Sequence, residues 1–142
     1  MDRRENKGSG RIKSMDYCFA CGRKNPYGLK LSFTFDGKMA KSKFTPLPHH
    51  QGWENILHGG LITTLLDEAM VYAAYFSGKD ALTGEIKVRF RKEIPVGEEI
   101  EIEGWIEKSK LNLIFTKARL LNSKGEILAE GEGKLVPFKE SS

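Results

Sequence analysis

The chain has 142 residues, 39% apolar and 30% charged, with a formal charge of +4 at neutral pH. That length predicts one domain, large enough to fold without a disulfide or a metal. No apolar run approaches the ~18 residues of a membrane helix, and no signal-peptide pattern opens the chain. A cytoplasmic protein with no membrane partner is therefore expected.

The charge is local. Residues 1–15 hold Arg3, Arg4, Lys7, Arg11 and Lys13 against Asp2 and Glu5, a net +3. This stretch has almost no apolar content and reads as a basic, mobile tail before a domain spanning 16–142. A nucleic-acid role would rest on the tail alone, so no nucleic-acid partner is expected. Cys18 and Cys21 then form one Cys-x-x-Cys pair. A structural zinc site needs four ligands. The other two would have to come from His49, His50 and His58, whose spacing matches no finger pattern. A redox pair would sit beside a βαβ pattern, and none follows. The pair reads as a tight turn with no metal and no cofactor.

Asn25, Pro26 and Gly28 mark a turn, and LKLSFTF then alternates like a strand. Asp36-Gly37 is a hairpin signal, and KMAKSKF returns as the second strand. TPLPHHQGWENIL reads as a loop of about 13 residues, a length often tied to function. A helix is predicted from Gly60 to Phe76. Leu61, Ile62, Leu65, Leu66, Ala69, Ala73 and Phe76 fill a broad apolar arc, while Thr63, Thr64, Asp67, Glu68 and Val71 share the narrower stripe opposite.

Four extended segments follow. LTGEIKVRF places Leu82, Ile86, Val88 and Phe90 on one face, and EEIEIEGWIEKS does the same with Ile100, Ile102 and Ile106. Pro95-Val96-Gly97 is the corner between them. NLIFTKARLL and EILAEGEGKLVPF are joined by Asn122-Ser123-Lys124-Gly125. Short turns imply an antiparallel meander of these four strands. The order is β-β-α-β-β-β-β, an α+β fold in which one long helix packs against a single curved antiparallel sheet. Leu57, Ile62, Phe76, Trp53 and Trp105 are candidates for a ligand pocket or for the core.

The stretch HGGLITTLLDEAM raises the functional question. The first N–H groups of a helix lack intrahelical partners and carry the positive end of its dipole. Glycine lets a ligand approach that backbone without meeting a Cβ. Gly59 and Gly60 are thus suited to polarise a carbonyl and hold an oxyanion, or simply to let the helix pack closely. Asp67 lies seven residues beyond Gly60, near the same angle on the helix.

Three stretches together resemble a known family: CFACGRKNPYGLKLSF, HGGLITTLLDEA and LTGEIKVRFRKEIPVGEEI. They are similar to the hot-dog fold, in particular to acyl-CoA thioesterases of the phenylacetate-degradation type, related to 4-hydroxybenzoyl-CoA thioesterase. The resemblance covers residues 17–138. It implies a homodimer with joined sheets, often paired again into a homotetramer, with active sites between subunits. It implies that Asp67 is the general base or the nucleophile in hydrolysis of an acyl-CoA thioester to acid and CoA. Gly59 and Gly60 would polarise the carbonyl, His58 would hold the turn, and Thr83 would orient water or the carboxylate. Glu68 would pair with a cation at the interface. Some relatives carry an Asn six residues before the His. Here that position is Gly52, with Gln51 beside it as the substitute for binding the carbonyl. Arg89, Arg91 and Lys92 are candidates to meet the CoA phosphates. The rival reading is a non-catalytic acyl-CoA-binding module of the same fold, and a dehydratase of this fold does not match the HGG…D arrangement.

Overall fold

The computed structural model describes residues 9, 10 and 15–138. Most of the expected tail, residues 1–8 and 11–14, lies outside the described residues. Ser9–Gly10 forms a two-residue strand, β1, antiparallel to β2 (Phe33–Phe35), with Ser9 opposite Thr34. β3 (Met39–Phe44) follows across the Asp36-Gly37 turn, where Gly37 has φ +98°. Then come helix α1 (Gly59–Phe76), β4 (Ala81–Phe90), β5 (Ile100–Lys110), β6 (Leu113–Leu121) and β7 (Ile127–Pro137).

These strands form one antiparallel sheet in the order β1-β2-β3-β5-β6-β7-β4. The expected architecture, one long helix against a single antiparallel sheet, is what the chain adopts. The expected four-strand meander is not. Only β5, β6 and β7 follow one another; β4 pairs with β7 at the far edge, and β5 pairs with β3. Residues 91–99 are long enough to carry the chain from one side of the sheet to the other, so a short-turn rule does not apply there.

The core lies between the helix and the concave face of the sheet. Tyr72 and Phe76 of α1 stack on Phe33 and Phe35, with ring centroids 4.7 and 5.2 Å apart. Leu65, Leu66, Ala69 and Met70 face Ile100, Ile102, Ile114, Leu120 and Leu135, all buried. Gly104 of β5 permits this approach: a Cβ there would come within 2.5 Å of the Ala69 carbonyl oxygen.

β4 departs from simple alternation. A bulge between Thr83 and Glu85 shifts the register, so Ala81 and Thr83 face the helix before it and Ile86 and Val88 after it. Leu82, expected on the same face as Ile86, is 62% exposed on the other side. The bulge turns Thr83 inward.

Candidate active site

The loop before α1 is ordered by its own hydrogen bonds rather than structureless. It contains a 3-10 turn at Pro48–His50, and the Leu57 N–H donates to the Ile94 carbonyl at 2.9 Å. Leu57 is buried, as are Ile62 and Phe76, so these three belong to the core. Trp53 is 86% exposed at the loop tip. Trp105 lies on the sheet's outer face under Arg119, 5.2 Å from the ring.

His58 is the N-cap of α1. Its Nδ1 accepts from the Gly60 N–H at 2.8 Å, which leaves Nε2 as the ring nitrogen able to donate. Glycine suits both neighbouring positions. A Cβ at Gly60 would lie 3.0 Å from His58 Nδ1, and a Cβ at Gly52 would lie 3.2 Å from the His58 Cα. The sequence expectation of two free amides is therefore corrected. The Gly60 N–H is already taken by His58, and Leu61 and Ile62 both donate to the His58 carbonyl. Gly59 alone keeps its N–H without a partner among the described residues, beneath the half-exposed Phe90 ring.

Asp67 is half-buried on α1, and its Oδ1 accepts from the Thr83 hydroxyl at 2.5 Å. The two residues are thus brought together across the helix–sheet interface, and the bulge in β4 is what makes the pairing possible. Burial pushes the Asp67 pKa above its ordinary value, and the Thr83 bond pulls it partly back. Oδ2 makes no hydrogen bond among the described residues, and Asp67 continues the stripe of α1 that runs back through Thr64 to Gly60. That stripe borders a cleft of about 690 Å³ lined by Phe19, Tyr27, His49, His58, Gly60 and Thr64.

Gln51 also borders the cleft, yet its side chain is committed within the loop. Its Nε2 donates to the Pro48 carbonyl at 2.6 Å, and its Oε1 accepts from the Asn55 N–H at 2.5 Å. The three cations of VRFRK lie away from Asp67. Arg91 is ion-paired with Glu130 at 2.6 Å, and Lys92 is paired with Glu126. Arg89 makes no ion pair among the described residues. It faces the outer side of the sheet in a basic cleft with Lys87, Lys117 and Arg119.

Glu68 is the finding that the sequence does not foresee. It is not on the exposed stripe but 5% exposed. Its Oε2 accepts from the Cys18 thiol at 3.4 Å, and the Cys21 thiol is its second partner. Burial raises the Glu68 pKa, and burial together with Glu68 pushes the Cys21 thiol far above the ordinary thiol range.

The sequence pattern described as "Thioesterase superfamily" matches residues 54–129, more than half of the chain and all of α1. The chain belongs to this superfamily. Over 65 residues it is 32% identical to the acyl-coenzyme A thioesterase THEM5 of Mus musculus, covering 46% of this chain and 26% of that protein. Over 85 residues it is 26% identical to the acyl-coenzyme A thioesterase THEM4 of Xenopus laevis, covering 60% and 38%. The match thus spans well under half the length of either curated relative. Among solved structures, the E. coli PaaI protein of the phenylacetic acid degradation operon superposes with a TM-score of 0.74 at 18% identity, over 80% of this chain and 83% of that one. At that identity the likeness concerns the hot-dog fold. No helix among the described residues is long and apolar enough to cross a membrane.

Proposed function

We propose that the chain hydrolyses an acyl-coenzyme A thioester to the free acid and CoA, with Asp67 as general base. The observation that carries this is the Asp67–Thr83 hydrogen bond. It occupies one carboxylate oxygen and leaves the other, made more basic by burial, free to take a proton. In the reaction Oδ2 takes a proton from water as the water oxygen attacks the thioester carbon. The C–S bond then breaks, and the CoA thiolate leaves and takes up the proton. Because Asp67 lies about 12 Å along α1 from Gly59 of its own chain, the Gly59 N–H and α1 dipole of a second copy in the homo-oligomer stabilise the developing oxyanion, with that copy's His58 Nε2–H as the second donor. Removing one such donor typically costs about 10²–10³ in rate. Direct attack by Asp67 through a mixed anhydride is the alternative route.

The active unit is a homo-oligomer, a dimer and on the family resemblance a tetramer. β4 is the sheet edge, and Leu82, Val136 and Phe138 beside it are exposed, an arrangement suited to a second copy. Arg89, the one cation of its segment without an ion pair among the described residues, is suited to meet a CoA phosphate there. On its HGG…D arrangement we read the chain as a thioesterase of the phenylacetate-degradation type, acting in the cytoplasm.

A panel of aryl-, short- and long-chain acyl-CoA substrates, read by release of free thiol, tests the reading. Turnover of at least one class is expected. Binding of acyl-CoA without thiol release from any of them would establish the non-catalytic binding module instead.

A further inference from the structure

We propose that Cys18, Cys21 and Glu68 bind one divalent cation of zinc-like softness, pinning the Cys-x-x-Cys turn to α1. The three donors come from segments fifty residues apart, yet one ligand atom from each lies within 4.8 Å of the others. Cys18 Sγ and Glu68 Oε2 are 3.4 Å apart. A tetrahedral zinc with Zn–S of about 2.3 Å and Zn–O of about 2.1 Å sets those atoms about 3.6 Å apart. The Cys21 sulfur lies within 4.8 Å of both.

The burial of Glu68 is the independent sign. A carboxylate that is 5% exposed ordinarily has a cation or a metal beside it. Among the described residues no Lys, Arg or His pairs with Glu68, and its partners are two weak thiol donors. Two thiolates and one carboxylate select zinc, or Co²⁺ as its probe, over the hard ions Mg²⁺ and Ca²⁺. Loading replaces two thiol protons with a divalent cation, so the net charge of the buried cluster does not change. Cys18 is only half-buried, which gives the ion its way in and a water its place as fourth ligand. The Tyr72 hydroxyl, hydrogen-bonded with Cys21, supports the ligand from behind.

The turn is already shaped for this. The Gly22 N–H donates to the Cys18 carbonyl at 2.8 Å, and Lys24 donates to Asp16 at 2.9 Å. Leu29 and Leu31 bond back to Phe19 and Ala20, so the turn is tied to the strand that follows. Two of the three histidines weighed as ligands on sequence grounds are engaged elsewhere, His50 with the Leu47 N–H and His58 with Gly60. Phe19, Tyr27 and Gly28 of the pinned segment form one wall of the cleft below His58, so the ion would fix that wall.

The test uses the full chain, stripped with a chelator under reducing conditions and titrated with Co²⁺ and then Zn²⁺. One equivalent per chain is expected. Co²⁺ should give thiolate-to-metal absorption in the near ultraviolet that Zn²⁺ abolishes. Zinc should protect both cysteines from alkylation and raise the melting temperature. Cys21→Ser should remove the absorption, and Glu68→Gln should weaken binding by at least about tenfold. If the variants do not fold, the Co²⁺ spectrum and alkylation protection of the unaltered chain decide alone. Three results would overturn the proposal: no uptake at micromolar free zinc, uptake without cysteine protection, or equal affinity in a Cys18→Ser/Cys21→Ser chain.

Discussion

Asp67 and Glu68 are adjacent carboxylates on one helix, and they lead different lives. Asp67 lies on the stripe that leads back to the helix N-terminus, held by one hydroxyl and half open. Glu68, about 100° further round, is shut among two thiols and the core. Burial raises both pKa values, so desolvation alone does not separate them. The partners do. A hydroxyl orients a carboxylate and leaves a face for water, whereas two thiols enclose it. On the proposed reading, adjacent sequence positions divide chemistry from anchoring.

The largest effect expected from this division is on turnover. Asp67→Asn removes the base at nearly constant shape and should lower kcat by about 10²–10⁴ in the thiol-release assay. Glu68→Gln should lower it less than about tenfold. A reversal of the two outcomes would assign the chemistry to the wrong neighbour. Thr83→Val deletes the hydrogen bond that orients Asp67. A bond to a charged group is worth about 1.5–3 kcal/mol, so a rate loss of about 10- to 100-fold is expected. Because that bond lowers the Asp67 pKa, the acid limb of the kcat/KM profile should also move to higher pH.

His58→Ala removes the cap of α1 and should cost about 1 kcal/mol in denaturant unfolding. It also frees the Gly60 N–H, which sharpens the question of which amide serves the carbonyl. The smallest effect concerns pH. The raised Asp67 pKa means that the folded state holds its proton more tightly than the unfolded chain does. The resulting stability is complete below the ordinary carboxylate pKa and is lost as pH rises through the raised value. Melting curves should show that slope flattened in Asp67→Asn, with the variant the more stable chain at neutral pH.

Much of this was legible in the sequence because it is local. The α1 pattern, the Asp36-Gly37 turn and the alternation of β5 to β7 lie in short windows, and Gly59–Phe76 differs from expectation by one residue. What was not legible is non-local or irregular. The partners of Glu68 lie fifty residues away, and β4 reaches β7 only through a crossover that no turn residue announces. The bulge had a signal that periodicity overlooked: Gly84, a glycine inside a strand. The His58 cap was hidden because histidine is not among the residues usually found there, although two neighbouring glycines made room for its ring.

The most direct measurement of the central claim is chemical rescue. Asp67→Ala and Glu68→Ala chains are assayed at saturating acyl-CoA with increasing formate, and chloride serves as the ionic-strength control. If Asp67 supplies the carboxylate that activates water, Asp67→Ala should be almost inactive. Formate should restore part of its turnover in a saturable way, chloride should not, and Glu68→Ala should show no such response. An Asp67→Ala chain that turns over like the unaltered protein without formate would contradict the account.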